Sequence, residues 1–101
     1  MKKQVNHMDI QHSENQQQGE FFMERDGRRV GELTYAWRSP DQFVIDHTWV
    51  CPSMRGHGVA RQLLDAAVAF ARDKQVKIIP VCSYVVVMFQ REASFADVWA
   101  K

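Results

Sequence analysis

Apolar and polar residues alternate with period two through residues 29–37, R-V-G-E-L-T-Y-A-W. This places Leu33, Tyr35 and Trp37 on one face and Val30, Glu32, Thr34 and Ala36 on the other. Such alternation marks a half-buried strand, and the aromatic face is expected to lie on the core. A second short run occupies residues 21–25, and Asp26-Gly27 between the two is a hairpin signal, because glycine adopts positive φ without steric cost. Ser39-Pro40-Asp41 marks the next turn, and a third strand is expected over residues 43–51. Its faces are mixed: Val44, Ile45, Trp49 and Val50 stand among Asp46, His47 and Thr48, as expected where one face serves something other than packing.

The period then changes. Val59, Ala60, Leu63, Leu64, Ala67, Phe70 and Ala71 recur every three or four residues against polar Arg61, Gln62, Asp65, Arg72 and Asp73. This predicts an amphipathic helix over residues 59–72, roughly 20 Å long. Residues 76–81, V-K-I-I-P-V, read as a buried strand. The next stretch, C-S-Y-V-V-V-M-F-Q-R-E, supports two readings. Its β-branched valines favour a strand, whereas Ser83 as a cap, with Tyr84, Val85, Met88 and Phe89 on one face, favours a helix. Phe95, Val98 and Trp99 predict a short terminal helix. Residues 1–18, by contrast, are polar, Gln-rich and aperiodic, with too few large apolar groups to offset ordering entropy. They are expected to form a mobile leader, with His7 and His12 solvated, ahead of one domain over residues 19–101.

Composition narrows the function classes. A chain of 101 residues, 46% hydrophobic, supports one compact core. Thirteen basic against twelve acidic residues leave a formal charge of +1, which argues against nucleic acid or an anionic membrane as partner, so any anion site must be local. No segment has the length of a secretory apolar run or a membrane span, and a cytoplasmic protein is expected. Cys51 and Cys82 are too few for a disulfide framework and lack C-x-x-C spacing; reduced thiols and no metal site are expected.

The stretch S-M-R-G-H-G-V-A-R-Q-L-L, residues 53–64, enters the long helix through two glycines. A helix N-terminus leaves several N–H groups without intrahelical partners, and it binds phosphate if no side chain blocks the approach. Gly56 and Gly58 remove such side chains, Arg55 adds positive charge, and no carboxylate lies between Asp46 and Asp65. The competing reading is a glycine turn that lets helix and sheet pack closely. The NTPase loop is excluded because G-K-[ST] is absent, and the dinucleotide fingerprint fails because its third glycine would fall at Arg61.

Arg55-Gly56-His57-Gly58-Val59-Ala60 resembles the [QR]-x-x-G-x-[GA] pyrophosphate loop of the GNAT acyltransferase superfamily. The likeness extends to His47, Thr48, Val50 and Pro52 before the loop and to I-I-P-V-C-S-Y, residues 78–84, after the helix. Together these resemble the small, minimal N-acetyltransferase-like branch. The resemblance implies a compact α+β fold of about four mainly antiparallel strands, with a central long helix and short C-terminal helices. It also implies a helix beginning at Ser83. In its terms the cofactor is acetyl-CoA, with Arg55, Gly56, His57, Gly58, Val59 and Ala60 at the pyrophosphate and backbone groups of Val50 and Cys51 at the pantetheine arm.

Acetyl transfer to an amine needs a placed carbonyl, a deprotonated nucleophile and a proton for the departing thiolate. The resemblance gives Tyr84 the last role; a half-buried aromatic is its plainer reading. Cys82 is expected beside the thioester, either as a covalent acetyl carrier or as a small packed residue. His47 is the candidate general base, with Asp46 as alternative and a cross-strand hydrogen bond as the competing role for His47. Cys51 is expected to pack. A chain this short lacks the further elements that build an acceptor site in larger relatives, so two classes stay open. One is an N-acetyltransferase acting on a small-molecule or protein amine; the other is a non-catalytic acyl-CoA-binding module. A monomer or weak homodimer fits either.

Overall fold

The computed structural model describes residues 10–101. Five strands, β1 (Ile10–Glu14), β2 (Gln18–Arg25), β3 (Arg28–Ser39), β4 (Gln42–Val50) and β5 (Lys77–Pro80), form one sheet in sequence order. The first four are antiparallel and β5 runs parallel to β4. Helix α1 (Val59–Lys74) supplies the crossover from β4 to β5, α2 (Ser83–Arg91) follows β5, and a 3-10 segment, Ala93–Val98, closes the chain. The α+β expectation holds, with one strand more than the four foreseen.

That extra strand corrects the leader. Residues 1–18 read as mobile, yet Ile10–Glu14 pairs in register with Gly19–Met23 of β2. Residues 1–9, with His7, lie outside those described. The strand holds because ladder hydrogen bonds do not require an apolar side-chain pattern. Three side chains add to it: Ile10 packs on the core, His12 stacks on Phe21 with ring centroids 4.1 Å apart, and Glu14 accepts from Tyr35 Oη and Trp37 Nε1, both at 2.7 Å. His12 is therefore an anchor as well as a polar surface residue, its Nε2 lying 2.5 Å from Tyr35 Oη. Burial lowers the His12 pKa, Glu14 opposing and Lys74 adding, while burial, followed by the hydrogen bond to Glu14 and its charge, raises that of Tyr35.

Gly19 lets Tyr35 reach that cluster. A Cβ there would stand 2.5 Å from Tyr35 Oη and 2.8 Å from the Ser13 carbonyl oxygen. Gly19→Ala is expected to cost about 1–3 kcal/mol, the usual range for overpacking. Hydrogen exchange should show β1 amides losing protection while those of α1 keep theirs; uniform protection would refute it.

The Asp26-Gly27 turn forms as expected, with φ of 54° and 77°. Leu33 and Tyr35 are buried on the face that alternation chose, with Trp37 partly buried beside them. Val30 departs from it. Met23 pairs with Gly31 and Glu24 with Arg29, so Val30 is the extra residue of a bulge and turns into the core. α1 buries Val59, Leu63, Leu64, Ala67, Val68 and Ala71 against that face and lies along β2 to β5. The terminal segment packs on α1, where Arg72 pairs with Asp97 at 2.9 Å, and α2 packs on β5 and on that segment, where Phe89 meets Phe95 at 5.3 Å between centroids. Ser83 begins α2, so tertiary packing overrides the strand propensity of Val85, Val86 and Val87.

Candidate functional site

Strand β4 pairs with β5 only as far as Ile45↔Pro80. There the amide groups of Val81 and Cys82 both donate to the Ile45 carbonyl, at 3.1 Å each, and the chain turns into α2. In the same place β4 bulges: Thr34 pairs with His47 and Tyr35 with Ile45, leaving Asp46 unpaired. The bulge explains the mixed faces of residues 43–51, since it shifts the alternation midway. Beyond it β4 runs on without β5, and the two strands splay.

The splay leaves backbone groups open. Cys51 N–H donates to the Val30 carbonyl at 2.8 Å, and antiparallel alternation then points the N–H and C=O of Thr48 and Val50 away from β3, into the gap. Cys82 stands at the apex as the residue capping α2, its Sγ 3.4 Å from Thr48 Oγ1. Both cysteines are free thiols.

At the open end of the gap lies the glycine loop. Pro52–Met54 forms a 3-10 turn, Gly56 has φ 85° and Gly58 caps α1 with φ 77°. A Cβ on Gly56 would meet nothing within 4 Å, so the space in front of the loop is clear. The cap has no side-chain hydrogen bond and the first turn no acidic residue. Helix geometry leaves the N–H groups of Val59 and Ala60 without intrahelical acceptors, and none is found elsewhere among the described residues. The result is a cradle of backbone donors at a positive helix end, the arrangement that phosphate requires.

A concavity of about 180 Å³ joins these parts. Val50, Arg55, Gly56, Gly58, Val59, Ala60 and Tyr84 border it, together with Met54 and Arg61. Burial raises the Tyr84 pKa, Arg61 opposing and Asp65 adding, so its phenol holds its proton through neutral pH. Arg61 and Met54 carried no signal in the sequence beyond lying near the loop. Thr48 was visible only as part of a motif.

Four other expected residues lie outside the concavity: Cys82, at the apex of the splay, and His57, Cys51 and His47. The His57 N–H already donates to Met54 O at 3.3 Å, and His57 does not border the concavity. Cys51 lies outside it too, its Sγ 3.3 Å from Ser53 Oγ; that hydrogen bond lowers its pKa, with Arg28 and Arg55 contributing. His47 points to the opposite face of the sheet, half exposed, with Nε2 3.1 Å from Glu32 Oε2. Glu32 also meets Arg29, which reaches Glu20 at 2.8 Å, so His47 ends a cross-strand chain of polar contacts. Asp46, on the bulge, accepts from Thr34 Oγ1 at 2.7 Å and borders a polar concavity of about 490 Å³ with Glu14, Glu20 and Tyr35. Among the described residues no cluster suits a metal ion, and no helix is long and apolar enough to cross a membrane.

A splayed parallel strand pair beside a glycine-entered helix is a fold-level signature, and comparison with known proteins names it. The family model described as GCN5-related N-acetyl-transferase matches residues 20–98. The chain belongs to that family. A GCN5-like protein from Staphylococcus aureus, solved by NMR, shares 32% identity over 95% of this chain and 91% of its own, with a TM-score of 0.75. At lower identity the likeness is one of fold. The aminoglycoside N-acetyltransferase AAC(6')-Iy, solved in complex with CoA, gives 18% identity, 92% coverage of both chains and a TM-score of 0.64. Nourseothricin acetyltransferase gives 23% identity over 75% of this chain and 49% of that one, with a TM-score of 0.59. Comparison with curated proteins found no match. Membership in the GCN5-related family accounts for the element order β4, glycine loop, α1, β5 and α2, which the resemblance of the loop had implied.

Proposed function

We propose that the protein is an acetyl-CoA-dependent N-acetyltransferase acting on an amine acceptor. The observation that carries this reading is the concavity that places Tyr84 and the open edge of Val50 against the bare donors of the glycine loop. In this reading the N–H groups of Gly58, Val59 and Ala60, with the Arg55 guanidinium, hold the pyrophosphate. The backbone edge of Thr48 and Val50 takes the pantetheine amides as an added strand would, which carries the thioester toward the apex at Cys82.

The thioester supplies an acyl group with a good leaving thiolate. A neutral amine attacks the carbonyl carbon, the C–S bond breaks as the C–N bond is completed, and the Tyr84 hydroxyl gives its proton to the sulfur. The raised Tyr84 pKa suits an acid that must stay protonated while the amine is free base. Asp46, on the β4 bulge, is the alternative proton acceptor for the amine, since Glu32 holds His47. Transfer is direct, and Cys82 lines the apex without carrying the acetyl group.

Calorimetry with acetyl-CoA, and transfer assays over a panel of amines, test the reading; tight binding without transfer to any amine would favour a non-catalytic acyl-CoA module. Tyr84→Phe is expected to lower kcat by about 10²-fold, the usual share of a general acid, with CoA affinity unchanged. Cys82→Ala should stay within about fivefold of wild type; a loss near that of a missing nucleophile, with acetylated Cys82 seen by mass spectrometry, would establish the covalent route instead.

A further inference from the structure

We infer that Arg55 is a latch coupling the two halves of the cofactor site: its guanidinium closes the Val50 carbonyl in the free protein and leaves it when phosphate reaches the glycine loop. The inference rests on the acetyl-CoA reading above.

Val50 C=O lies on the edge that faces the splay, and among the described residues the hydrogen bond it receives there comes from Arg55 Nε, at 3.2 Å. The bond folds the side chain back over the strand end it follows. A ligand amide approaching that edge is also an N–H donor, so it competes with the guanidinium for the same oxygen. Arg55 has no carboxylate partner among the ion pairs of the described residues, whereas Arg29 and Arg61 each have two and Arg72 has one. Its hold on Val50 is therefore a single exposed hydrogen bond to a neutral acceptor. Phosphate at the adjacent loop offers it a charged and bidentate partner, a stronger one. The first turn of α1 contains no acidic residue that would draw the guanidinium elsewhere.

Linkage then fixes the consequence. If phosphate draws Arg55 off Val50, it raises the affinity of the strand edge for pantetheine, and pantetheine raises the affinity for phosphate by the same factor. A binding order follows in which the nucleotide end docks first and unlocks the groove for the acyl arm.

The test uses fragments. Pantetheine is titrated into the full-length protein with and without saturating inorganic pyrophosphate, following the amide resonances of Thr48 and Val50 by NMR. Wild type should bind pantetheine about fivefold more tightly when pyrophosphate is present, the scale of one net hydrogen bond. Arg55→Ala should bind pantetheine alone at the tighter value, show no further gain with pyrophosphate, and bind pyrophosphate itself more weakly. Opposite signs for the two fragments are the signature, since a residue that merely supports the loop would weaken both. Equal pantetheine affinity in wild type and Arg55→Ala, with CoA still bound, would overturn the latch alone. Absence of CoA binding to wild type would overturn the latch together with the reading it rests on.

Discussion

Gly58→Asp is expected to abolish CoA binding, with affinity falling by more than about 10²-fold while the far-ultraviolet circular dichroism stays that of the wild type. Two effects act together. The mutant carboxylate would stand at the mouth of the donor cradle, where a like charge facing phosphate costs several kcal/mol. It would also accept from the N–H groups of α1, as aspartate commonly does at a helix cap, and so remove the donors that the phosphate needs. The fold should tolerate the change. A Cβ at Gly58 meets nothing closer than Gln62 Nε2, at 4.0 Å, and aspartate is among the residues that enter the left-handed region that φ 77° requires. Gly58→Ala separates the causes: it carries the backbone strain, of order 1 kcal/mol, without the charge. Calorimetry should find alanine modestly weakened and aspartate silent. CoA affinity unchanged in Gly58→Asp would remove the phosphate role of the loop altogether.

Legibility in the sequence followed the range of the interactions involved. α1 was readable because six buried positions recur at helical spacing, and the β2–β3 hairpin because Asp26-Gly27 must take positive φ. Bulges were not readable. Nothing in R-R-V-G or V-I-D-H announces that Val30 drops out of the pairing with β2 and Asp46 out of that with β3, yet the first bulge turns Val30 inward and the second lies where the splay begins. β1 escaped notice because an edge strand is held by backbone pairing and by contacts with Phe21, Tyr35 and Trp37, all distant in sequence. The end of α1 was equally silent, since Gln75 takes φ 60° where glycine usually stands. At the site, the loop glycines spoke locally, and the motif brought Tyr84 and Val50 to the same concavity. His47 stands apart from that concavity for a geometric reason. Alternation along β4 puts its side chain on the face opposite Thr48 and Val50, where Glu32 meets it.

The same dependence on distant neighbours makes Gly31→Val the most damaging single change expected in the core, although strand propensity alone would favour valine there. Gly31 lies on the helix-facing side of β3, paired with Met23 on one side and Val50 on the other. A Cβ added to it would lie 2.6 Å from Val59 Cγ1 and 3.2 Å from Leu63 Cδ1. Neither neighbour can yield: Leu63 is fully buried, Val59 nearly so, and a β-branched residue in a helix has one favoured rotamer. Relief must come from lifting the N-terminal turn of α1 off the sheet. Overpacking of this kind costs about 3 kcal/mol, near the upper end of the usual range. For a domain of this size that corresponds to a melting temperature lower by roughly 15 °C. The displaced turn is the one that presents Gly58, Val59 and Ala60, so CoA affinity should fall with stability although residue 31 borders no part of the concavity. Val59→Ala in the same chain should restore much of both, because it clears the atom that collides; a double-mutant cycle reads the coupling between two residues in contact. Additive losses in that cycle would mean that the helix tolerates the side chain by another route, and that the close approach of β3 to α1 is not what positions the loop.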